Sequence, residues 1–206
     1  VKIMNKELLL GIGVGSLIAL CIVAKRSSAA SSLTPFSPLA KGSKILLVGD
    51  SLAVGLQTRL GVNAKDNGYA FAADAVGGTK ADQWAQRIGS VLARERPQLV
   101  LVSLGTNDAL NAPVEKEAPD VASLVKQIRD AGAVPVWIFP ITMPSNFTNG
   151  LTTFRSLVRS QGVEALDSSV VLIPRPAADP IHPGGGGYAT WADWIWGTLQ
   201  SRNIVY

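Results

Sequence analysis

Cysteine and histidine are almost absent from this 206-residue chain, which holds only Cys21 and His182. A single thiol excludes an intramolecular disulfide, and a single imidazole argues against a zinc site, so no metal is expected. An excess of one charge is also missing from most of the chain. The formal net charge is +4, but residues 1–26 hold four basic side chains against one acidic, which leaves fifteen against fourteen in the remainder. So balanced a body offers no basic footprint, and nucleic-acid binding is not expected. Long uncharged apolar runs are lacking too, with one exception at residues 8–24.

What is present converges on the lone histidine. His182 follows Asp179 by three residues in Asp179-Pro180-Ile181-His182-Pro183, and two upstream motifs carry complementary polar groups. Gly49-Asp50-Ser51-Leu52 follows the apolar run Ile45–Val48, and Gly105-Thr106-Asn107-Asp108 follows Leu99–Val102. A serine hydroxyl is a weak nucleophile until a base takes its proton, and imidazole, with an ordinary pKa near 6.5, suits that task. A carboxylate then fixes the ring tautomer and stabilises the imidazolium. An amide such as that of Asn107 can donate to an oxyanion, where losing one donor typically costs about 2.7–4 kcal/mol.

The local sequence supports this grouping. A strand ending at Val48 and a helix starting near Leu52 put Ser51 at a strand-to-helix turn, with its N–H near a helix N-terminus that favours negative charge. Gly49 permits the tight backbone there. Pro180 and Pro183 push Asp179 and His182 out of the helical region, so the pair is expected on a loop. Either Ser51 or Asp50 could serve as the helix N-cap, and Asp108 is expected to organise its own loop. Gly184–Gly187 does not read as a phosphate cradle, because no strand precedes it and no Lys-Ser/Thr follows. A flexible loop beside the histidine is the expectation.

Taken together, these blocks resemble the SGNH (GDSL-type) hydrolases, whose four short blocks carry Ser, Gly, Asn and His. Gly49-Asp50-Ser51-Leu52 matches the first block, Gly105-Thr106-Asn107-Asp108 the third and Asp179–Pro183 the last, with Gly187-Tyr188 resembling the opening of the family's final helix. The second block requires a glycine after the second strand; Gly78 is favoured, with Gly77 as the alternative. An α/β-hydrolase fits less well, since Ala53 stands where Gly-x-Ser-x-Gly needs glycine and the acid lies only three residues from the histidine. The resemblance implies a serine esterase with catalytic Ser51, Asp179 and His182. Its oxyanion hole would be formed by Ser51, Gly78 and Asn107, and it would work through an acyl-enzyme on Ser51 without a cofactor. No segment supplies a large apolar lid, so small acyl groups, acetyl above all, on a carbohydrate or cell-envelope polymer are the expected substrates. A lysophospholipase or thioesterase is the alternative within the family, and a catalytically silent envelope or virion-surface binding module the alternative outside it.

Alternation of strand-like and helix-like segments predicts an α/β fold, a three-layer α/β/α sandwich on a five-stranded parallel sheet. The resemblance makes this the flavodoxin-like SGNH hydrolase fold. Strands are expected near 45–48, 70–75, 98–103, 134–139 and 169–173, and helices near 52–60, 80–94, 115–131, 150–161 and 188–201. Ligands of such sheets bind at the carboxyl ends of the strands, where the first three blocks fall. The five tryptophans, three of them (Trp191, Trp194, Trp196) in the last helix, are read as packing residues rather than a sugar platform.

Leu8–Ala24 is a 17-residue uncharged run between Lys6-Glu7 and Lys25-Arg26. That length is at the short limit for a membrane span, and a single-pass transmembrane anchor over residues 1–26 is expected. A cleavable signal peptide ending at Ser28-Ala29-Ala30 is the alternative, which would make the protein secreted. Gly11 and Gly15 would let two such helices pack closely as a weak homodimer. Flanking charges do not select an orientation; family resemblance suggests an extracytoplasmic catalytic domain. Val1 fits a GTG start and thus a bacterial or phage gene, and fits a trimmed chain equally. Residues 27–43, rich in Ser, Ala and Pro, read as a tether, and residues 44–206 as the hydrolase domain.

Overall fold

The computed structural model describes residues 37–110 and 113–206. The proposed membrane segment and most of the tether lie outside those residues. Among the described residues, no helix is long and apolar enough to cross a membrane.

Five strands form the sheet: β1 (Lys44–Gly49), β2 (Ala70–Ala75), β3 (Leu99–Ser103), β4 (Val134–Phe139) and β5 (Glu164–Asp167). All neighbours run parallel, in the order β2-β1-β3-β4-β5. Side chains of a strand alternate between faces, and here both faces are apolar. Ile45, Leu47, Leu99, Leu101, Val136 and Ile138 enter one core, while Leu46, Val48, Val100, Val102, Trp137 and Phe139 enter the other. Sheets buried on both sides read as continuous apolar runs, as β1, β3 and β4 do.

Helices α1 (Ser51–Asp66) and α5 (Gly185–Ser201) cover the first face through Leu52, Leu56, Leu60, Trp191, Ile195 and Leu199. Helices α2 (Ala81–Glu95), α3 (Ala118–Asp130) and α4 (Thr148–Ser160) cover the second through Trp84, Ile88, Leu124, Ile128, Phe154 and Val158. Each leucine or isoleucine buried in this way stabilises the fold by about 1.5–3 kcal/mol relative to exposure. Trp84, Trp137 and Trp191 are fully buried and Trp194 packs against the first core, so the tryptophans are packing residues.

Three expectations need correcting. The fifth strand is Glu164–Asp167, not 169–173; Ser168–Val170 forms a 3-10 turn and Val171–Ile173 runs on outside the sheet. Gly185–Gly187 is the first turn of α5, with Gly184 as its N-cap, rather than a loop. The chain from Leu39 to Ser43, expected as tether, is bonded to the domain. Leu39 N–H donates to Ile204 O (2.9 Å), and Tyr69 Oη donates to Leu39 O (2.9 Å).

The chain steps from β1 to β2 on one side through α1, then crosses back past β1 to β3 on its other side through α2, so the direction of winding reverses at β1. A crevice opens at the carboxyl ends of the strands at such a reversal.

Candidate active site

Ser51 is the first residue of α1, directly beyond β1, and Asp50 is the N-cap, its Oδ1 accepting from Leu52 N–H at 2.9 Å. The first N–H groups of a helix have no carbonyl a turn behind them, so that of Ser51 is a candidate anion donor. The chain entering this turn is locked to β3, since Asp50 N–H donates to Ser103 O (3.1 Å).

The loop after β2 is a tight turn from Val76 to Thr79. Thr79 Oγ1 donates to Val76 O at 2.7 Å, and Gly78 has φ +77°, a conformation that suits glycine. A β-carbon on Gly77 would stand 3.7 Å from that of Ser51, whereas one on Gly78 would meet nothing within 4 Å. Gly77 is thus the glycine lying against the serine side chain.

Asn107 follows β3, and its Nδ2 donates to Thr79 O (3.1 Å) and, at long range, to Asp50 Oδ2 (3.4 Å). Asp108 is fully buried and accepts from Ala81 N–H (2.9 Å) at the start of α2. It therefore braces a neighbouring helix as well as the turn that carries it. Burial raises Asp50 to about 7, with the Asp108 charge adding to the effect, and raises Asp108 to about 6, with Glu117 adding there.

His182 and Asp179 lie on the loop before α5, 131 residues from Ser51 in His182's case, yet His182 Nε2 is 2.8 Å from Ser51 Oγ. His182 Nδ1 is 2.9 Å from Asp179 Oδ2. Asp179 Oδ1 accepts from the N–H groups of His182 and Ile181, each at 3.0 Å. These bonds, the His182 N–H first, hold Asp179 down at about 2, so the carboxylate is ionised at neutral pH. An ionised Asp179 keeps the ring proton on Nδ1, which leaves Nε2 to accept from the serine hydroxyl.

The structure thus brings Ser51, His182 and Asp179 into one hydrogen-bonded chain, and sets Gly77 and Asn107 at the same strand ends. Thr79, Asp50 and Arg175 also shape this region. Thr79 and Arg175 carried no sequence signal, while Asp50 sat inside a recognised block and was read only as a helix cap. Among the described residues, no cluster of three or more His, Cys, Asp or Glu stands in a metal-binding array. A cavity of about 660 Å³ lined by Gly89, Arg96, Gln127 and Gly132 lies at the opposite, amino end of β3 and β4, away from every motif. A groove of about 490 Å³ runs beside the histidine, lined by Leu172, Ile173, Arg175, Gly184–Gly187 and Thr190.

The model of the GDSL-like lipase/acylhydrolase family matches residues 47–190. Esterase TesA of Pseudomonas aeruginosa is 31% identical in an alignment covering 78% of this chain and 90% of that protein. Among solved structures, one of a protein named TesA superposes with a TM-score of 0.65 at 23% identity, covering 77% of this chain and 99% of the other. An acetyl xylan esterase, AlAXEase, superposes with a TM-score of 0.64 at 15% identity, covering 76% and 99%.

Proposed function

The chain belongs to the GDSL-like lipase/acylhydrolase family and is a serine carboxylic ester hydrolase, and from that premise we propose that Ser51 is its nucleophile and small acyl esters its substrates. The supporting observation is the chain of contacts from Ser51 Oγ to His182 Nε2 and from His182 Nδ1 to Asp179 Oδ2, at 2.8 and 2.9 Å.

Ser51 Oγ adds to the ester carbonyl carbon as its proton passes to His182 Nε2. The imidazolium is stabilised by ionised Asp179. Charge on the carbonyl oxygen is met by the N–H of Ser51, that of Gly78 or its neighbour Gly77, and the Asn107 amide, which exchanges its long 3.4 Å contact with Asp50 for the oxyanion. Collapse of the tetrahedral adduct expels the alcohol, which takes the proton from His182 and leaves an acyl group on Ser51. Water then loses a proton to His182 and attacks the acyl carbon; the acid is released as His182 returns that proton to Ser51 Oγ, restoring both.

The His182 and Asp179 side chains are 37% and 45% exposed, so the reacting groups sit in an open cleft. That openness favours a small acyl group carried on a large alcohol, such as an acetylated carbohydrate or envelope polymer. The fold-level likeness to an acetyl xylan esterase is compatible with this. A longer chain, as in a lysophospholipid or thioester, is the second reading, favoured by Leu172, which is 89% exposed on the groove beside His182. Residues 8–24 would anchor the enzyme in a membrane with the domain outside the cytoplasm. Retention of the full chain in the membrane pellet after an alkaline carbonate wash tests the anchor, and its release would remove that proposal.

Hydrolysis of p-nitrophenyl acetate, butyrate and palmitate by the full chain and by Ser51→Ala tests the mechanism. The variant is expected to lose about 1,000-fold or more in kcat. A folded wild type no faster than Ser51→Ala on every ester would leave a silent binding module as the better reading.

A further inference from the structure

The loop that carries Asp179 and His182 is well bonded internally but sparsely bonded to the sheet. Asp179 Oδ1 accepts from Ile181 and His182, and Asp179 N–H donates to Pro176 O at 3.0 Å; all three contacts lie within residues 176–182. They shape the loop without fixing where it stands. Among the described residues, Val171 N–H donates to Ser168 O (2.9 Å) where the segment leaves β5, and the side-chain hydrogen bonds that join residues 171–183 to the strand ends are the Ser51–His182 contact and those of Arg175. Arg175 Nε donates to Ile181 O at 3.2 Å, and its Nη2 donates to Thr142 O, with Met143 Sδ 3.8 Å away. Thr142 and Met143 follow the carboxyl end of β4. The guanidinium thus spans from the end of β4 to the peptide immediately before His182. Its planar fork suits two carbonyls at once, a geometry that a single ammonium does not reproduce.

Ile181 itself adds an apolar anchor, packing against the small cluster of Ala109, Phe147 and Leu151. An apolar contact sets depth but leaves the loop free to slide; a directional bond to the Ile181 carbonyl removes that freedom. With the Ile181 peptide fixed, the imidazole is presented to Ser51 at hydrogen-bonding distance.

We propose that Arg175 is a positioning residue for the hydrolytic reaction, a strap from the β4 end to the Ile181 carbonyl that holds His182 in register with Ser51. This inference rests on the esterase reading. Because His182 serves both acylation and deacylation, loosening the strap lowers turnover more than it weakens binding. Misplacing a reacting group by about 1 Å can cost on the order of 100-fold.

The test compares the full wild-type chain with Arg175→Met, which keeps apolar length but has no donor, and with Arg175→Lys. Active sites are counted by covalent labelling with a fluorophosphonate, so that rates refer only to molecules with a folded site and a competent Ser51. Per labelled site, Arg175→Met is expected to lose about 10- to 100-fold in kcat on p-nitrophenyl acetate with KM changed less than threefold, and to label more slowly. Arg175→Lys, which can still donate to one carbonyl, should recover part of that loss. A kcat per labelled site within twofold of wild type in Arg175→Met would overturn the proposal, as would a loss confined to KM. If Arg175→Met labels too little to measure, Arg175→Lys decides alone, and wild-type kcat there would overturn it. A wild type that neither hydrolyses esters nor labels would instead remove the esterase reading.

Discussion

Asp50 and Asp108 are both fully buried, and each has a reason to be there other than direct chemistry. Asp50 caps α1 and reaches the Asn107 amide, while Asp108 Oδ1 accepts from the first N–H of α2 and its Oδ2 has no partner. A carboxylate buried away from water favours its protonated form, and with Lys80 only partly opposing this Asp108 stands near 6 instead of 3.8. Between about pH 4 and 6 the folded chain therefore binds more protons at Asp108 than the unfolded chain does, and stability falls as pH rises through that window. Two units correspond to about 3 kcal/mol. Asp50 acts in the same direction up to about pH 7. Asp179, held down at about 2, contributes stability above pH 4 that is lost only as pH falls from about 4 to 2, outside this window. Asp108→Asn keeps the acceptor for Ala81 and removes the charge. Its melting temperature is expected to fall less than that of wild type between pH 4 and 7, by the equivalent of a few kcal/mol. Equal pH slopes in the two proteins would show that Asp108 is not a buried, proton-binding group.

Elements meet most closely at Gly49, where β1 turns into α1 beside β3. A β-carbon there would lie 2.0 Å from Ser103 O and 2.9 Å from the Ala53 β-carbon. The first obstacle is backbone, so no rotamer change relieves it. Gly49→Ala is expected to cost about 3 kcal/mol or more, above the usual overpacking range, and to widen the β1–β3 gap on which Ser51 and Asn107 depend. Chemical denaturation measures this, and a loss below 1 kcal/mol would mean that the two strand ends are not held so tightly. Such close approach also explains what was legible in sequence. Strands β1, β3 and β4 are buried on both faces and announce themselves as apolar runs, and the Ser51, Asn107 and Asp179–His182 blocks follow from them. Strand β5 is an edge strand in which only Leu166 is buried, so Glu164–Asp167 carries little signal. The more apolar Val170–Ile173 attracted the assignment, although Val170 and Leu172 are exposed and only Val171 and Ile173 pack inward. Pro119 stands in the first turn of α3, which is why the expected helix from residue 115 begins as a 3-10 turn at Val114–Glu117. Gly185–Gly187 misled in the opposite sense: three glycines disfavour helix by about 1 kcal/mol each relative to alanine, yet Trp191, Ile195 and Leu199 behind them bury enough apolar surface to carry the first turn.

Across the whole molecule, the reversal of connections at β1 gathers residues from positions 51, 77, 107 and 182 at one end of the sheet, and the question left for that end is how much substrate it encloses. An acyl chain removed from water gains about 0.8 kcal/mol per methylene, roughly fourfold in kcat/KM. If Leu172 and its neighbours formed a true acyl channel, butyrate, with two more methylenes than acetate, would be favoured about 15-fold. The open setting of His182 and Asp179 argues for a flat or falling series instead, since a methylene left in water gains nothing. The p-nitrophenyl ester series on the full chain is therefore expected to give a butyrate-to-acetate ratio of kcat/KM near or below one. Leu172→Ser should leave acetate hydrolysis within about twofold, because deleting a contact that acetate does not make removes no transition-state stabilisation. A ratio near 15 that collapses in Leu172→Ser would place the acyl chain in the groove beside His182. It would move the substrate class from short acyl esters to lysophospholipids or long-chain thioesters, with the same serine doing the chemistry.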